Sequence, residues 1–477
     1  MLRATLVLTL STIAGLVLGF AREWLLVAAW GAGSRTDAFL VALFLPEALR
    51  MTLAAGLLSA ALLPLYRQAA QRAQRDWLAG QAWHLLLVGG GLALLVGLGA
   101  PWWVRLIGPG LAAAARADAA AVLALLAPGL PLLLLHALGA VVGQARERFL
   151  LAGAGSFVYN LPAVVLLWWR GAAVGERELA LAFDAGALLM ALTMLPLLVA
   201  GGWRPWRWCW DAAGNRALHA RLGPLLASAG ASQGLVLLER IVASWLGEGA
   251  ITVVNLARKL VNLPLVALMS LNQVVLSRLS ALADDPAARQ AALRVALLLT
   301  TALTVPAAAG MIGAAPTLVA WGLPAGMADG PLPWLLAWFA VVIVFGGWNA
   351  LLARHAYATG DTVTPLRGEL AGSAANALAL LALPWTGLGM AGIALAALCG
   401  CLVTAWALLR SYRMLGEPLV RQLPPLAIAA LLAAAGWLYR LPAGGGQFAL
   451  AAVHSLVWLG VLALWTRQQA RRAHSSA

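Results

Sequence analysis

The sequence predicts an all-α polytopic membrane protein with about 14 transmembrane helices. They are arranged as two six-helix lobes, related by a pseudo-twofold axis along the membrane normal, plus two C-terminal helices. Three observations lead there. Of 477 residues, 62% are hydrophobic and only 10% charged, against about 25% charged in ordinary soluble domains. Mean hydropathy is +0.87, and apolar stretches of about 18 residues or more recur from end to end, each able to cross roughly 30 Å of hydrocarbon. The positive charges fall in the short connections between those stretches.

Hydropathy and punctuation place the helices at 5–30, 37–66, 80–107, 119–143, 150–169, 178–200 and 223–246, then at 250–277, 292–314, 332–354, 365–386, 389–412, 423–440 and 447–466. The start, MLRATLVLTLSTIAGLVLGF, has the Arg-then-apolar form of a signal peptide. It lacks a small-x-small cleavage site and reads on into Ala21, Arg22 and Glu23, so a retained first helix is expected. With both termini cytoplasmic, about 21 of the 32 Lys+Arg residues fall on the cytoplasmic side, about 6 on the other and about 5 inside helices. The cytoplasmic group includes Arg67, Arg72, Arg75, Arg146, Arg148, Arg204, Arg207, Arg216, Arg221, Arg467, Arg471 and Arg472. An error of one helix would scramble this bias downstream, which supports the even count.

The longest polar connection, GGWRPWRWCWDAAGNRALHARLG (201–223), follows the sixth helix. EWLLVAAWGAG, with Pro46 in the next helix, is echoed about 216–218 residues later by ERIVASWLGEG, with Pro264 in its next helix. Six helices per half is even, so both halves enter from the same side, and a site is expected at midplane between them. The expected organisation is an N-terminal lobe over 1–222, a C-terminal lobe over 223–416, and a pair of helices with a cytoplasmic tail over 417–477.

Several function classes are excluded. A net charge of +14 forms no continuous basic face, so nucleic acid is not an expected partner. The six histidines are scattered with no HExxH and no paired ligand spacing, and no metal, catalytic set or cofactor is expected. The three cysteines give no disulfide framework, because Cys399 and Cys401 point to different helix faces. The lone GxGxxG, at Gly387, Gly389 and Gly392, joins two apolar helices and reads as a tight turn with close packing. The 22 tryptophans, such as Trp102, Trp103, Trp168, Trp169 and Trp203, lie mostly near helix ends and read as an interfacial belt.

The informative residues are ionisable groups inside the membrane, which are costly there. Arg22 is eight residues before Trp30, about 12 Å deep; Arg50 is thirteen after Asp37, about 20 Å deep. Lys259, the only lysine, lies about 14 Å down the eighth helix beside Arg258. These depths exceed comfortable snorkelling. Arg22, Arg50, Arg258 and Lys259 are candidates for lining a polar cavity, with Asp37 a candidate beside them. The competing readings are local. Glu47, three residues before Arg50, neutralises it. Glu23 is adjacent to Arg22 and faces elsewhere, while Asp37 reaches toward Arg22 or serves as a first-turn acid. Glu239 and Arg240 lie near an outer helix end, within snorkelling reach. A cavity dominated by cations suits a phosphate or diphosphate, which Arg and Lys bind through charge-assisted hydrogen bonds.

These residues sit in recognisable strings. VLGFAREWLLVAAWGAGSRTDAFLVALFLPEALRMTLAAGLLSAALLPLY, GQARERFLLAGAGSFVYNLP (143–162) and HAYATGDTVTPLRGEL (355–370) resemble the MurJ/MviN family of lipid II flippases, within the multidrug/oligosaccharidyl-lipid/polysaccharide exporter superfamily. The resemblance implies fourteen helices and alternating access between two lobes. It also implies a polyprenyl-diphosphate glycolipid substrate and a lipid-tail groove on the last two helices. By motif position Arg22 matches the cavity arginine of LGFxRD, Asp37 the aspartate of TDAF and Arg50 the first arginine of LPNLLRR. ARKLVNLP (257–264) matches ADRLMEFP, with Lys259 at the arginine and Asn262 at the glutamate. Leu16, Met51 and Ala55 stand where the family has the arginine of SRVLGF, the second arginine of LLRR and the glutamate of FAEGAFS.

The leading expectation is a lipid II flippase of the bacterial cytoplasmic membrane, for peptidoglycan synthesis. Its alternatives are a flippase for another lipid-linked oligosaccharide and a non-transporting scaffold of glycan assembly. Coupling to an ion gradient or the membrane potential, and cell-wall or polysaccharide synthesis enzymes as partners, go with that reading. A cation antiporter is opposed by the scarcity of intramembrane carboxylates. A membrane glycosyltransferase would need an acidic pair facing a cavity, and Asp284-Asp285 lies in a polar loop before Pro286. Asn376 and Glu239 are polar enough to hold Na⁺ but look like ordinary packing residues.

Overall fold

A computed structural model describes residues 2–475 apart from 69–73, 149–150, 152, 263–285, 359, 416–425, 428–429 and 435–436. The second half of the expected helix 250–277 with Pro264, Arg72, Asp284-Asp285 and part of the helix expected at 423–440 lie outside the described residues. Helix forms in every expected span that is described, with internal breaks in some, and no strand occurs among the described residues. Seven described helices are long and apolar enough to cross a membrane, and one bent pair makes an eighth. The chain divides into two compact units, Met1–Thr252 and Val253–Ala477.

The first unit begins with α1 (Leu2–Trp30) and α2 (Ser34–Leu49). After α2 the backbone widens into a π-helix over Arg50–Leu57 and returns to α geometry in α3 (Leu58–Gln68). The single long helix expected here is therefore three segments. Pro46 supplies no N–H to the α ladder just before the change, and π turns of this kind concentrate at functional sites. The third expected helix also divides, into α4 (Gln74–Leu98) and α5 (Ala100–Ile107), with Pro101 in the first turn of α5. The fourth bends by 43° between α6 (Ala113–Leu126) and α7 (Gly129–Ala145), where Pro128 interrupts the ladder.

Next come α8 (Gly155–Arg170), α9 (Glu176–Ala200) and α10 (Ala212–Trp245). The start of α9 is tied down by the Glu178 carboxylate, which accepts the Gly175 N–H at 3.1 Å, and by an Arg35–Glu176 ion pair. Asp211 caps α10 by accepting the Gly214 N–H at 2.9 Å. The core includes Leu58, Leu62, Leu78, Leu138, Val141 and Leu198, and it takes in Trp203, which is 4% exposed. Trp203 is thus no part of an interfacial belt, whereas Trp102, Trp168 and Trp169 are well exposed, as a belt requires.

Helix α11 covers 250–262 and crosses the division between the units. The second unit continues with α12 (Pro286–Gly322), α13 (Leu332–Ala358), α14 (Val363–Ala382), α15 (Met390–Ser411) and α16 (Gly445–Ser475). Polar side chains pin its helices inside an apolar core. The Trp348 indole donates to Thr301 Oγ1 at 2.8 Å, Ser455 Oγ to the Pro306 carbonyl at 2.6 Å, and Thr317 Oγ1 to Gln447 Oε1 at 2.5 Å. Between α14 and α15, Gly387 and Gly389 turn at φ +87° and +52°. A Cβ on Gly392 would lie 2.5 Å from Pro384 N. The GxGxxG is a tight turn with close packing, as its setting suggested.

Candidate functional site

Helices α1 and α8 can approach closely because α1 presents glycine. A Cβ on Gly15 would fall 2.9 Å from Ser156 Cβ, and one on Gly19 would lie 3.6 Å from Asn160 Nδ2. One further turn along α1 come Arg22 and Glu23, each 2% exposed. The close seam brings Asn160 to the guanidinium: Arg22 Nη1 donates to Asn160 Oδ1 at 2.7 Å. Asn160 is itself held by donating from Nδ2 to the Ser156 carbonyl at 2.7 Å.

From α2 and the π turn come Glu47 and Arg50. Glu47 accepts from Arg22 Nη1 and Nη2 at 3.5 and 3.4 Å, and from Arg50 Nη2 at 3.3 Å. Arg22 Nη2 also pairs with Glu23 Oε1 at 2.5 Å. Arg50 donates to Ser156 Oγ at 3.4 Å and contacts Met51 Sδ at 3.5 Å. The two guanidiniums lie over the rings of Phe183 and Tyr159, at 5.0 and 4.7 Å. Arg22 and Arg50 each keep one buried N–H, on Nε, without a hydrogen-bond partner.

This arrangement alters three expectations. Glu23, though adjacent to Arg22 in sequence, does face it, because two long side chains can curl together despite leaving the helix about 100° apart. Asp37 does not reach Arg22. Its Oδ2 accepts the Gly249 N–H at 2.7 Å and its Oδ1 accepts the Thr252 N–H and hydroxyl at 2.8 and 2.6 Å. Although it lies in the first turn of α2, it satisfies the orphan amides at the start of α11. The cluster, finally, is not made of cations alone: Glu23 and Glu47 stand beside Arg22 and Arg50, and Arg240 lies within electrostatic reach of both carboxylates. Glu47 stands at the asparagine position of the motif LPNLLRR that this stretch resembles, and no charge-counting rule would have singled it out as the bridge.

Arg240 is not snorkelling. Its Nη1 donates to the Leu40 carbonyl at 2.5 Å and its guanidinium lies 4.7 Å from the Phe44 ring. In the second unit, Arg258 and Lys259 are both half-buried on α11, and the Arg258 guanidinium lies 5.0 Å from the Phe339 ring. Asn376 sits at the α14–α15 seam, where a Cβ on Gly400 would be 2.7 Å from its own Cβ. Among the described residues no group of three or more His, Cys, Asp or Glu could hold a metal ion.

The helical architecture is shared with solved structures. It superposes on a solved structure described as "Inward-facing conformation of a multidrug resistance MATE family transporter of the MOP superfamily". That match has a TM-score of 0.67 and 15% identity, and covers 88% of this chain and 99% of that one. The family model "Lipid II flippase MurJ" matches residues 26–470, and the chain belongs to that family. It is 26% identical over 406 residues to "Probable lipid II flippase MurJ" of Thermotoga maritima, covering 83% of this chain and 82% of the relative. It also resembles a structure described as "Lipid II flippase MurJ, inward closed conformation", with a TM-score of 0.83, 18% identity and coverage of 97% and 99% of the two chains.

Proposed function

We propose that the chain flips a polyprenyl-diphosphate-linked saccharide, lipid II, across the bacterial cytoplasmic membrane by alternating access, as a transporter and not as an enzyme. Two buried guanidiniums sharing one carboxylate, each with an N–H to spare, carry this reading. A diphosphate would take over the donors that Glu47 now occupies, with bidentate geometry available from each arginine. Arg258 and Lys259 on α11 are further cations proposed for the substrate, and Asp37 acts indirectly by fixing the start of that helix. The lobes of this transporter are 1–222 and 223–416, with 417–477 carrying the lipid tail, and both termini lie in the cytoplasm. The membrane potential or an ion gradient drives the cycle, and cell-wall synthesis enzymes supply and consume the substrate.

The test is flipping of fluorescent lipid II in proteoliposomes. Arg50→Ala and Lys259→Ala should abolish flipping while the protein still inserts and melts cooperatively. Arg50→Lys should keep part of the activity, since a point charge still attracts phosphate. Normal flipping by Arg22→Ala, Arg50→Ala and Lys259→Ala alike would overturn the site and favour a scaffold. Because Leu16, Met51 and Ala55 replace charged residues of the family motifs, a second polyprenyl-diphosphate oligosaccharide belongs in the same assay. Its transport in place of lipid II would reassign the glycan.

A further inference from the structure

The connection between α9 and α10 has a composition that the flippase reading does not use. Residues 203–210 read Trp-Arg-Pro-Trp-Arg-Trp-Cys-Trp. Trp203 is buried, but Trp206, Trp208 and Trp210 are 76%, 61% and 51% exposed. A turn closed by the Arg207 N–H on the Arg204 carbonyl at 3.0 Å, with Pro205 second in the turn, leaves Trp206 at its tip. Trp208 and Trp210 stack with ring centroids 6.4 Å apart and 5° between planes. Arg204 and Arg207 are exposed, and their guanidiniums have no hydrogen-bond or ion-pair partner among the described residues. Arg75 lies at the base of the loop, against Gly202. Of the nearby acids, Asp211 is spent on the Gly214 N–H and Asp76 remains.

This loop is fastened to one face of a membrane-crossing helix. The Trp83 indole of α4 donates to the Arg207 carbonyl at 2.9 Å, and its ring lies 5.0 Å from Trp208. Four, seven, eleven and fourteen residues beyond Trp83 come Leu87, Gly90, Leu94 and Gly97, on the same helix face. Along it runs a groove of about 830 Å³, lined by those residues with Leu86 and, across it, Pro128. The groove opens outward, since Leu87 and Leu94 are 50% and 65% exposed. Nothing lies within 4 Å of a Cβ placed on Gly90 or Gly91. From Leu86 to Leu98 the face is about 18 Å long at 1.5 Å per residue, close to the roughly 15 Å of hydrocarbon in one leaflet.

We propose that the loop and groove together bind an anionic phospholipid. Arg204 and Arg207 hold the phosphate, the exposed tryptophans lie among the headgroups, and one acyl chain lies along Gly90 and Gly97. Charge selects the headgroup, because two unpaired arginines at the interface favour an anionic lipid. The apolar span selects hydrocarbon, because the groove lies within a helix apolar enough to cross the bilayer.

Native mass spectrometry of the full-length, delipidated protein tests this with phosphatidylglycerol and phosphatidylcholine of matched chains. The wild type should retain phosphatidylglycerol more tightly. The Arg204→Gln/Arg207→Gln variant should lose about 30-fold in affinity for it and keep its affinity for phosphatidylcholine. Gly90→Trp, which fills open space without a clash, should weaken retention of both lipids. Equal retention of the two lipids by the wild type, or an unchanged preference in the double arginine variant, would overturn the headgroup assignment. Unchanged retention in Gly90→Trp would overturn the groove. Neither variant alters Arg22, Arg50 or Glu47, so the lipid result and the flipping result can fail separately.

Discussion

Glu47 is one carboxylate serving two guanidiniums, and its removal should have two effects of opposite sign. Glu47→Gln leaves Arg22 with Glu23 as its ion-pair partner and Asn160 as its neutral one, and Arg50 without its ion pair. Stripping a partner from buried charges is destabilising, so the melting temperature in detergent should fall. If Glu47 competes with the diphosphate for the same N–H groups, the variant should bind lipid II more tightly in a detergent binding assay. A fall in both stability and affinity would show that Glu47 shapes the site and does not compete for it. The arginines were legible in the sequence because an ionisable residue in an apolar stretch is conspicuous. Their partners were less so. Glu23 was misplaced by a rule about helix faces that ignores side-chain length, and the partners of Asp37 lie 212 and 215 residues downstream, where no local pattern points.

For the elements, helix identity followed from hydropathy and the internal breaks followed from proline and glycine only in part. Pro101 and Pro128 explain the division of α4 from α5 and the bend before α7, yet neither is distinguishable in sequence from Pro162 or Pro196, which sit inside unbroken helices. The π turn at Arg50–Leu57 has no sequence signature, because its backbone register depends on what packs around it. The α1–α8 seam offers a sharper test. Gly15→Leu must push Ser156 away, at a cost of about 1–3 kcal/mol. It should therefore loosen the Arg22–Asn160 contact and lower both melting temperature and flipping. Gly91→Ala, into open space, should leave both unchanged. Equal effects of the two substitutions would mean that the seam does not position the site.

On the scale of the whole molecule, orientation rests on the charge bias, and Cys209 reports it without an added probe. In a Cys399→Ser/Cys401→Ser background, a membrane-impermeant maleimide should leave intact cells unlabelled and label inside-out vesicles. Burial, and then Asp76 and Asp211, push the Cys209 thiol above its ordinary range. The thiolate is the reacting form, so labelling in vesicles should be slow at neutral pH and keep accelerating through the alkaline range where an ordinary cysteine levels off. Labelling of intact cells would invert the topology.

The zero sum of Arg22, Glu23, Glu47 and Arg50 has an electrical consequence. Each uncompensated elementary charge carried across a membrane exchanges about 2.3 kcal/mol with every 100 mV of potential, whereas a balanced quartet exchanges none. In the proposed cycle, these four residues would move no net charge of their own against the field on an empty return stroke. Their voltage dependence would then come only with a bound diphosphate, so the cargo would bring its own electrical handle.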